Sequence, residues 1–425
     1  NETTSSKIIC FQGLNINFEN CGFHKCGSIY IDSQFDNNSF RFVNNIATSI
    51  SQQLINYNGI NSNQIISGNI FKNFIGANES FFYFYICQDE FELINNTFQS
   101  ISFNNDENIG GIGLQLKFNE TYLTTLFLNN CSFIENTNNN INNPYGGAFQ
   151  FVHSSSHTNI SIHTIGCIFK KNNCLHGYGG ALSINIIGDI MIENCTFENN
   201  KAEFDGGAIY ILGNSYNGNE SETIEKQLVS INGCNFIDNK GENGNCIYLL
   251  ENATNMNFEI SSCIFETNDF NQQFNIQCTI TNFYCNNISI IWNEFFNSNY
   301  FFILDYSESA EITDSKYINC NTENDSIINI LNENKNIMTT MKDCEFIDCI
   351  SKKSSIIIPE GKLDVQNCIF NFSDNKKACS GLEVISSTSI NINKCKFINN
   401  NNKILNAGSL YIHCDDSDSL ENINI

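Results

Sequence analysis

The chain has 425 residues, with 21 basic and 45 acidic side chains and a net charge of −24. That balance argues against nucleic acid or an anionic membrane as a partner. A 41% hydrophobic share suffices for a core, and 36 phenylalanines against one tryptophan make Phe its main filler. Only Pro144 and Pro359 occur and no linker is visible, so residues 1–425 read as one elongated domain.

The predicted elements repeat in chain order. Residues 1–20 form an N-terminal cap or first coil, residues 21–412 the repeats, and residues 413–425 an acidic tail or last coil. Each repeat carries the phrase Cys-x-Phe. It occurs at Cys21/Phe23, Cys131/Phe133, Cys167/Phe169, Cys195/Phe197, Cys234/Phe236, Cys263/Phe265, Cys344/Phe346, Cys368/Phe370 and Cys395/Phe397. Phe42, Phe71, Phe98, Phe295 and Tyr317 read as degenerate copies, and successive aromatic anchors lie 19 to 39 residues apart. A period of that length signals a stacked array.

Before each cysteine runs a short alternating segment, such as Ile160-Ser161-Ile162 or Ile390-Asn391-Ile392. Period two with β-branched residues predicts a strand. About ten residues after the aromatic comes a Gly-Gly phrase, clearest at Gly146-Gly147-Ala148, Gly179-Gly180-Ala181 and Gly206-Gly207-Ala208. Glycines there suit a tight turn of positive φ or a close backbone approach. The following residues are again β-prone. No helical stripe is present. Such a unit cannot bury its apolar side alone, whereas stacked units can. The fold class is therefore all-β, a parallel β-helix of about 14 coils and roughly 65–70 Å in length. Asn stands three positions after Phe at Asn45, Asn136, Asn172, Asn200, Asn239, Asn268 and Asn400. That fixed offset predicts left-handed turns and stacked amides rather than mere compositional bias.

The 20 cysteines point to an oxidising compartment, hence to a secreted or cell-surface protein. The Cys-x-Phe cysteines can stack as small buried hydrophobes. Cys21/Cys26, Cys167/Cys174, Cys278/Cys285, Cys344/Cys349 and Cys368/Cys379 are close enough in sequence to be disulfide candidates. Zinc is disfavoured, because no paired CxxC knuckle or His-x-His occurs. Thirteen Asn-x-Ser/Thr sequons are present. Asn37, Asn78, Asn95, Asn119, Asn159, Asn219, Asn252, Asn287, Asn324 and Asn371 are the candidate N-glycan acceptors. Asn130 and Asn194 adjoin core cysteines and read as poor ones, and Asn1 opens the chain. No apolar run follows Asn1, so it reads as a mature N-terminus. No stretch reaches transmembrane length, so direct membrane insertion is not expected.

The Gly-Gly-Ala-Ile and Phe-x-x-Asn phrases, best over residues 131–268, resemble the repeats of polymorphic outer membrane proteins. Those are surface right-handed parallel β-helices of the pectin-lyase-like superfamily. Similar repeats occur in surface proteins of single-celled eukaryotes with Asn-rich proteomes. The resemblance implies a right-handed β-helix displayed outside the cell, in adhesion or in a coat. Resemblance to pectate lyases would imply calcium-binding acids and an arginine base; resemblance to polygalacturonases, clustered aspartates with an Arg-x-Lys motif. The only arginine, Arg41, lacks a carboxylate cluster in sequence. His153, His157, His163 and His176 have no paired acid or nucleophile, so an enzyme is not expected. His413-Cys414-Asp415-Asp416-Ser417-Asp418 reads as a solvated acidic tail with at most weak calcium affinity, and no other cofactor is expected.

Two stretches break the alternation rule: Phe81, Phe82, Tyr83, Phe84 and Tyr85, and Tyr300, Phe301, Phe302, Ile303 and Leu304. Both faces are apolar, so the outer one needs a cover, be it a loop, a sugar or another protein. Two functions remain open. One is adhesion to a cell-surface protein or glycan. The other is homo-assembly into a filament, coat or wall through rod ends and the aromatic strands.

Overall fold

A computed structural model describes residues 6–10, 15–25, 29–33, 39–51, 54–59, 63–75, 82–86, 90–103, 114–118, 124–141, 144–152, 160–186, 188–213, 227–242, 244–250, 256–267, 274–277, 279–286, 289–292, 302–322, 328–330, 338–351, 354–358, 361–371, 380–385, 387–399, 409–413 and 422–424. Among them there is no helix, and every strand pairing is parallel. The chain is a parallel β-helix. It divides into two compact units, residues 1–220 with 239–242, and residues 221–238 with 243–425.

Each coil of the first unit lays down three main strands. The alternating segment is one, as in Ile160–Ile165; the residues around the anchor are a second, as in Ile168–Lys170; the residues after Gly-Gly are a third, as in Leu182–Ile186. Like strands stack on like: Phe133, Phe169 and Phe197 pair in register. Among the described residues, seven anchor strands stand in the first unit and seven in the second, the number that the repeat implies. The Cys-x-Phe phrase opens a strand of its own, three residues long, in which Phe is the middle residue and the cysteine stands just before it. That middle residue points inward and its flanks outward, the period-two rule at its shortest.

Left-handed corners isolate each anchor strand. The residue three before the anchor has positive φ, as at Asn130 (52°), Gly166 (62°), Asn194 (52°) and Asp343 (55°). So does the residue two after it, as at Glu135 (56°), Lys171 (55°), Asn199 (54°) and Asp348 (53°). The corner amides are not wasted, because Asn130 N–H donates to the Ile165 carbonyl and Lys171 N–H to that of Glu198 in the next coil. The expectation that the Asn three after Phe makes the turn is corrected here. The turn falls one residue earlier, and that Asn turns its side chain inward.

The two glycines of Gly-Gly do different work. Gly146, Gly179 and Gly206 have φ of 71°, 71° and 68°. Gly147 and Gly180 serve a close approach instead. A methyl group on Gly180 would press on the Gly207 carbonyl oxygen and lie 2.6 Å from the backbone of Lys201. Backbone cannot step aside, so Gly180→Ala is expected to cost about 3 kcal/mol or more by overpacking. A urea melt checks this, and an unchanged midpoint would refute the close approach.

Two degenerate anchors are reassigned. Ala47, not Phe42, holds the slot between Phe23 and Phe71. Phe42 points in from the neighbouring strand, Ser39–Val43, and its ring fills the room that Ala47 leaves. It lies 5.4 Å from the Phe23 ring and 6.1 Å from that of Phe71. In the second unit Ile290 occupies the slot between Phe265 and Tyr317, and Phe295 lies outside the described residues. Phe71, Phe98 and Tyr317 stand where the sequence put them. We expect Phe42→Ala to cost about 3–5 kcal/mol, and Phe42→Ala with Ala47→Phe to regain at least half of the lost thermal stability. A double variant no better than the single one would refute the reassignment.

Candidate functional site

The cysteines and asparagines inside the coils form hydrogen-bonded ladders. Two residues before the anchor, the slot reads Cys21, Asn45, Asn69, Asn96, Cys131, Cys167 and Cys195 along the first unit. In the Asn part, Asn45 N–H donates to Asn69 Oδ1 (2.8 Å), and Asn69 Nδ2 donates to the Phe42 carbonyl of the preceding coil (2.6 Å). In the Cys part, Cys131 N–H donates to Cys167 Sγ (3.3 Å), and the Cys167 thiol donates to the Leu128 carbonyl (3.2 Å). A thiol and an amide both donate and accept, so each bridges one coil to the next in the same way. Cys234 and Cys263 repeat the pattern in the second unit.

Three residues after the anchor runs a second ladder. Asn136, Asn172, Asn200 and Asn239 are fully buried. The amide of each donates to an anchor-strand carbonyl one coil back: Asn136 to Phe98, Asn172 to Phe133, Asn200 to Phe169 and Asn239 to Phe197. In the second unit Cys349 takes this slot and donates to the Tyr317 carbonyl (3.4 Å). The phrase Cys-x-Phe-x-x-Cys is thereby explained without a disulfide. Cys344 and Cys349 sit at opposite ends of the strand Glu345–Ile347, each in its own ladder. Strand rise holds them roughly 10 Å apart, beyond the ~7 Å that a disulfide spans.

The disulfide candidates therefore resolve as follows. The 14 described cysteines, among them Cys21, Cys167, Cys174, Cys285, Cys344, Cys349 and Cys368, are free thiols. Cys167 and Cys174 are not bonded to each other; Cys174 faces the Pro144 carbonyl. Cys26, Cys278 and Cys379 lie outside the described residues. The stacked reading holds, and it gives the high cysteine count a cause other than oxidation. Hydrogen bonding with Cys167 and then burial push the Cys131 thiol up, and burial pushes Cys285 up to about 12. Such thiols are poor nucleophiles. We expect the native chain to leave the twelve buried described thiols unmodified by a disulfide reagent. The denatured, unreduced chain should react at no fewer than the 14 described cysteines. A count well below that after denaturation would overturn the assignment.

Of the candidate glycan acceptors, Asn95 lies at a left-handed corner (φ 54°) and is exposed. Asn130 and Asn194 occupy the same corner position and are equally exposed, so their neighbouring cysteines do not hide them. Only the next residue turns inward. Asn371 ends the strand Ile369–Asn371 and is half-buried. Asn1, Asn37, Asn78, Asn119, Asn159, Asn219, Asn252, Asn287 and Asn324 lie outside the described residues.

The described parts of the two aromatic stretches lie on the strands Phe82–Ile86 and Phe302–Thr313. Phe82–Ile86 pairs on both sides, with Ile55–Gly59 and Leu114–Phe118. Phe302, Ile303 and Leu304 pair with Ile328–Ile330. Phe81, Tyr300 and Phe301 lie outside the described residues, as do His153, His157 and the acidic string 414–420. The remaining histidines do not converge. His163 packs its ring on Phe127, and His176 Nδ1 lies 3.2 Å from a Glu203 oxygen on another face. Arg41 points outward and is exposed. Among the described residues, no three His, Cys, Asp or Glu side chains gather to hold a metal ion, and no helix is long and apolar enough to cross a membrane.

One cluster was missed by sequence reasoning. In the first unit the residue just before Gly-Gly is Tyr145, then Tyr178, then Asp205 in successive coils. The Tyr145 and Tyr178 rings stack at 5.4 Å, and Phe204 lies 5.4 Å from Tyr178. Tyr210, nearly buried, closes the back at 4.9 Å from Tyr178 and 5.9 Å from Tyr145. Glu242 follows Phe204 one coil on, its N–H donating to the Phe204 carbonyl (2.6 Å). Burial, with Asp205, Tyr145 and Glu242 adding to it, raises the Tyr178 hydroxyl above the usual phenol range. The only sequence signal was tyrosine before Gly-Gly, twice in succession. No family model matches the chain, and no curated protein matches it.

Proposed function

We propose that the chain is a non-enzymatic, extracellular or cell-surface β-helix that acts in adhesion or recognition. The observation that carries this reading is the use made of the recurring residues. Cys, Asn and Phe, which a sequence search for chemistry singles out, are turned inward and bonded from coil to coil. Among the described residues, what varies between coils points outward: corner residues and strand flanks. A scaffold of this kind presents side chains at fixed spacing, as solenoid binding proteins do. The net charge of −24 and the exposed corner sequons Asn95, Asn130 and Asn194 suit a surface setting.

The partner would be a cell-surface protein or glycan. The test is binding of the purified, natively expressed protein to intact cells and to a glycan array, with electron micrographs of the same sample. Saturable binding by discrete particles supports recognition. Filaments or lateral arrays without cell or glycan binding would replace it with a structural role.

A further inference from the structure

The geometry of the Tyr145–Tyr178–Asp205 corner points to a second level of detail: we propose that it binds an arginine side chain presented by a basic protein or peptide. This names a ligand chemistry for the recognition reading, but it stands on the corner alone.

The wall of the site is aromatic. Tyr145, Tyr178 and Phe204 are each half-buried, so part of each ring reaches the surface. Tyr210 packs behind Tyr145 and Tyr178. A guanidinium is flat and weakly hydrated, and it stacks on such rings within about 6 Å of a ring centre.

The rim of the site is acidic. The column that is tyrosine for two coils becomes Asp205 in the third, and the Phe204 column becomes Glu242 one coil on. Cation and ring attract, and carboxylate and guanidinium form paired hydrogen bonds. A neutral sugar would use the wall alone and gain nothing from the rim. An ammonium would use both, but without the planar stacking. A chain at −24 also attracts basic partners from a distance, which brings the cation to the corner.

The experiment uses the full chain and a tri-arginine peptide at about physiological salt, where surface charge is screened beyond roughly 8 Å. Calorimetry is expected to show binding that weakens at least tenfold in Tyr178→Leu and in the isosteric pair Asp205→Asn/Glu242→Gln. Tyr178→Phe, which keeps the ring, should bind as the parent does, and tri-lysine should bind several-fold more weakly. Glu345→Gln, remote in sequence and on an anchor strand, should change nothing. Equal losses in Glu345→Gln and in the corner pair would mean general charge attraction and overturn the proposal. So would an unchanged affinity in folded Tyr178→Leu, or no binding by the folded parent. Preference for a neutral oligosaccharide over the peptide would assign the corner to sugar instead. Failure here leaves the cell-binding result untouched, so the two readings fall separately.

Discussion

Asn172→Leu is expected to cost about 4 kcal/mol, while Asn172→Cys should cost about 1–2 kcal/mol despite the greater loss of volume. The reason is hydrogen bonding rather than size. Asn172 Oδ1 accepts the Asn136 N–H (3.1 Å) and the Asn136 side-chain amide (3.0 Å), and Asn172 Nδ2 donates to the Phe133 carbonyl (2.9 Å). Leucine removes the partner of the Asn136 N–H and of the Phe133 carbonyl and leaves the Asn136 amide only its bond to Phe98, each loss worth about 1–3 kcal/mol. A thiol restores a donor and an acceptor, as Cys349 does toward the Tyr317 carbonyl in the equivalent slot. By the same logic Cys167→Asn should be milder than Cys167→Val, although valine is the more apolar choice. Urea midpoints of the four variants, with hydrogen exchange at the Asn136 amide, check this. If leucine and valine prove the tolerated residues, the ladders are packing devices and not hydrogen-bonded ones.

The second large effect is expected in alkali. A thiol ionises by losing a proton, and burial in the folded chain holds Cys285 at about 12 against an ordinary 9.0. Cys368 is likewise pushed up to about 12, mainly by its hydrogen bond with Cys344. Between those values the folded chain binds more protons than the unfolded one, so stability falls as pH rises. The full contribution is present below pH 9.0 and is lost on the way to about 12. At about 1.36 kcal/mol per pKa unit, Cys285 alone accounts for roughly 4 kcal/mol over that window. Burial raises Cys349 as well. We therefore expect cooperative loss of β-structure near pH 10–11, with thiolate absorbance rising in the same step. Thiolates that titrate near 9 while the circular dichroism is unchanged would show that the thiols are not locked inside.

Much of this was legible in the chain, and the errors are informative. The Phe-x-x-Asn offset correctly marked a recurring slot, yet the turn proved to be its neighbour, such as Lys171 beside Asn172. Asn was read both for its tolerance of left-handed backbone and for stacked amides, and the stacked amides are what the interior uses. Cys344 and Cys349 looked like a disulfide because sequence proximity says nothing of the strand between them. The Phe42 anchor was wrong by one slot because an aromatic was sought and Ala47 is not one. The space was conserved between two strands rather than at one position, since Phe42 fills what Ala47 leaves.

The sequence by itself determined the class of fold. A coil-length repeat of inward Phe, Cys and Asn leaves no arrangement but stacking that buries every copy, and Gly-Gly marks where backbones must come closest. Only the tertiary structure decided which residue stands in which slot. Stacking register is set by hydrogen bonds between coils, while spacing along the chain drifts with loop length, from 24 residues to 39 between anchors. For the same reason the Tyr145–Tyr178–Asp205 corner was invisible in one dimension. Its residues come from successive coils about thirty positions apart, and they meet only when parallel strands bring like positions into contact at about 4.8 Å.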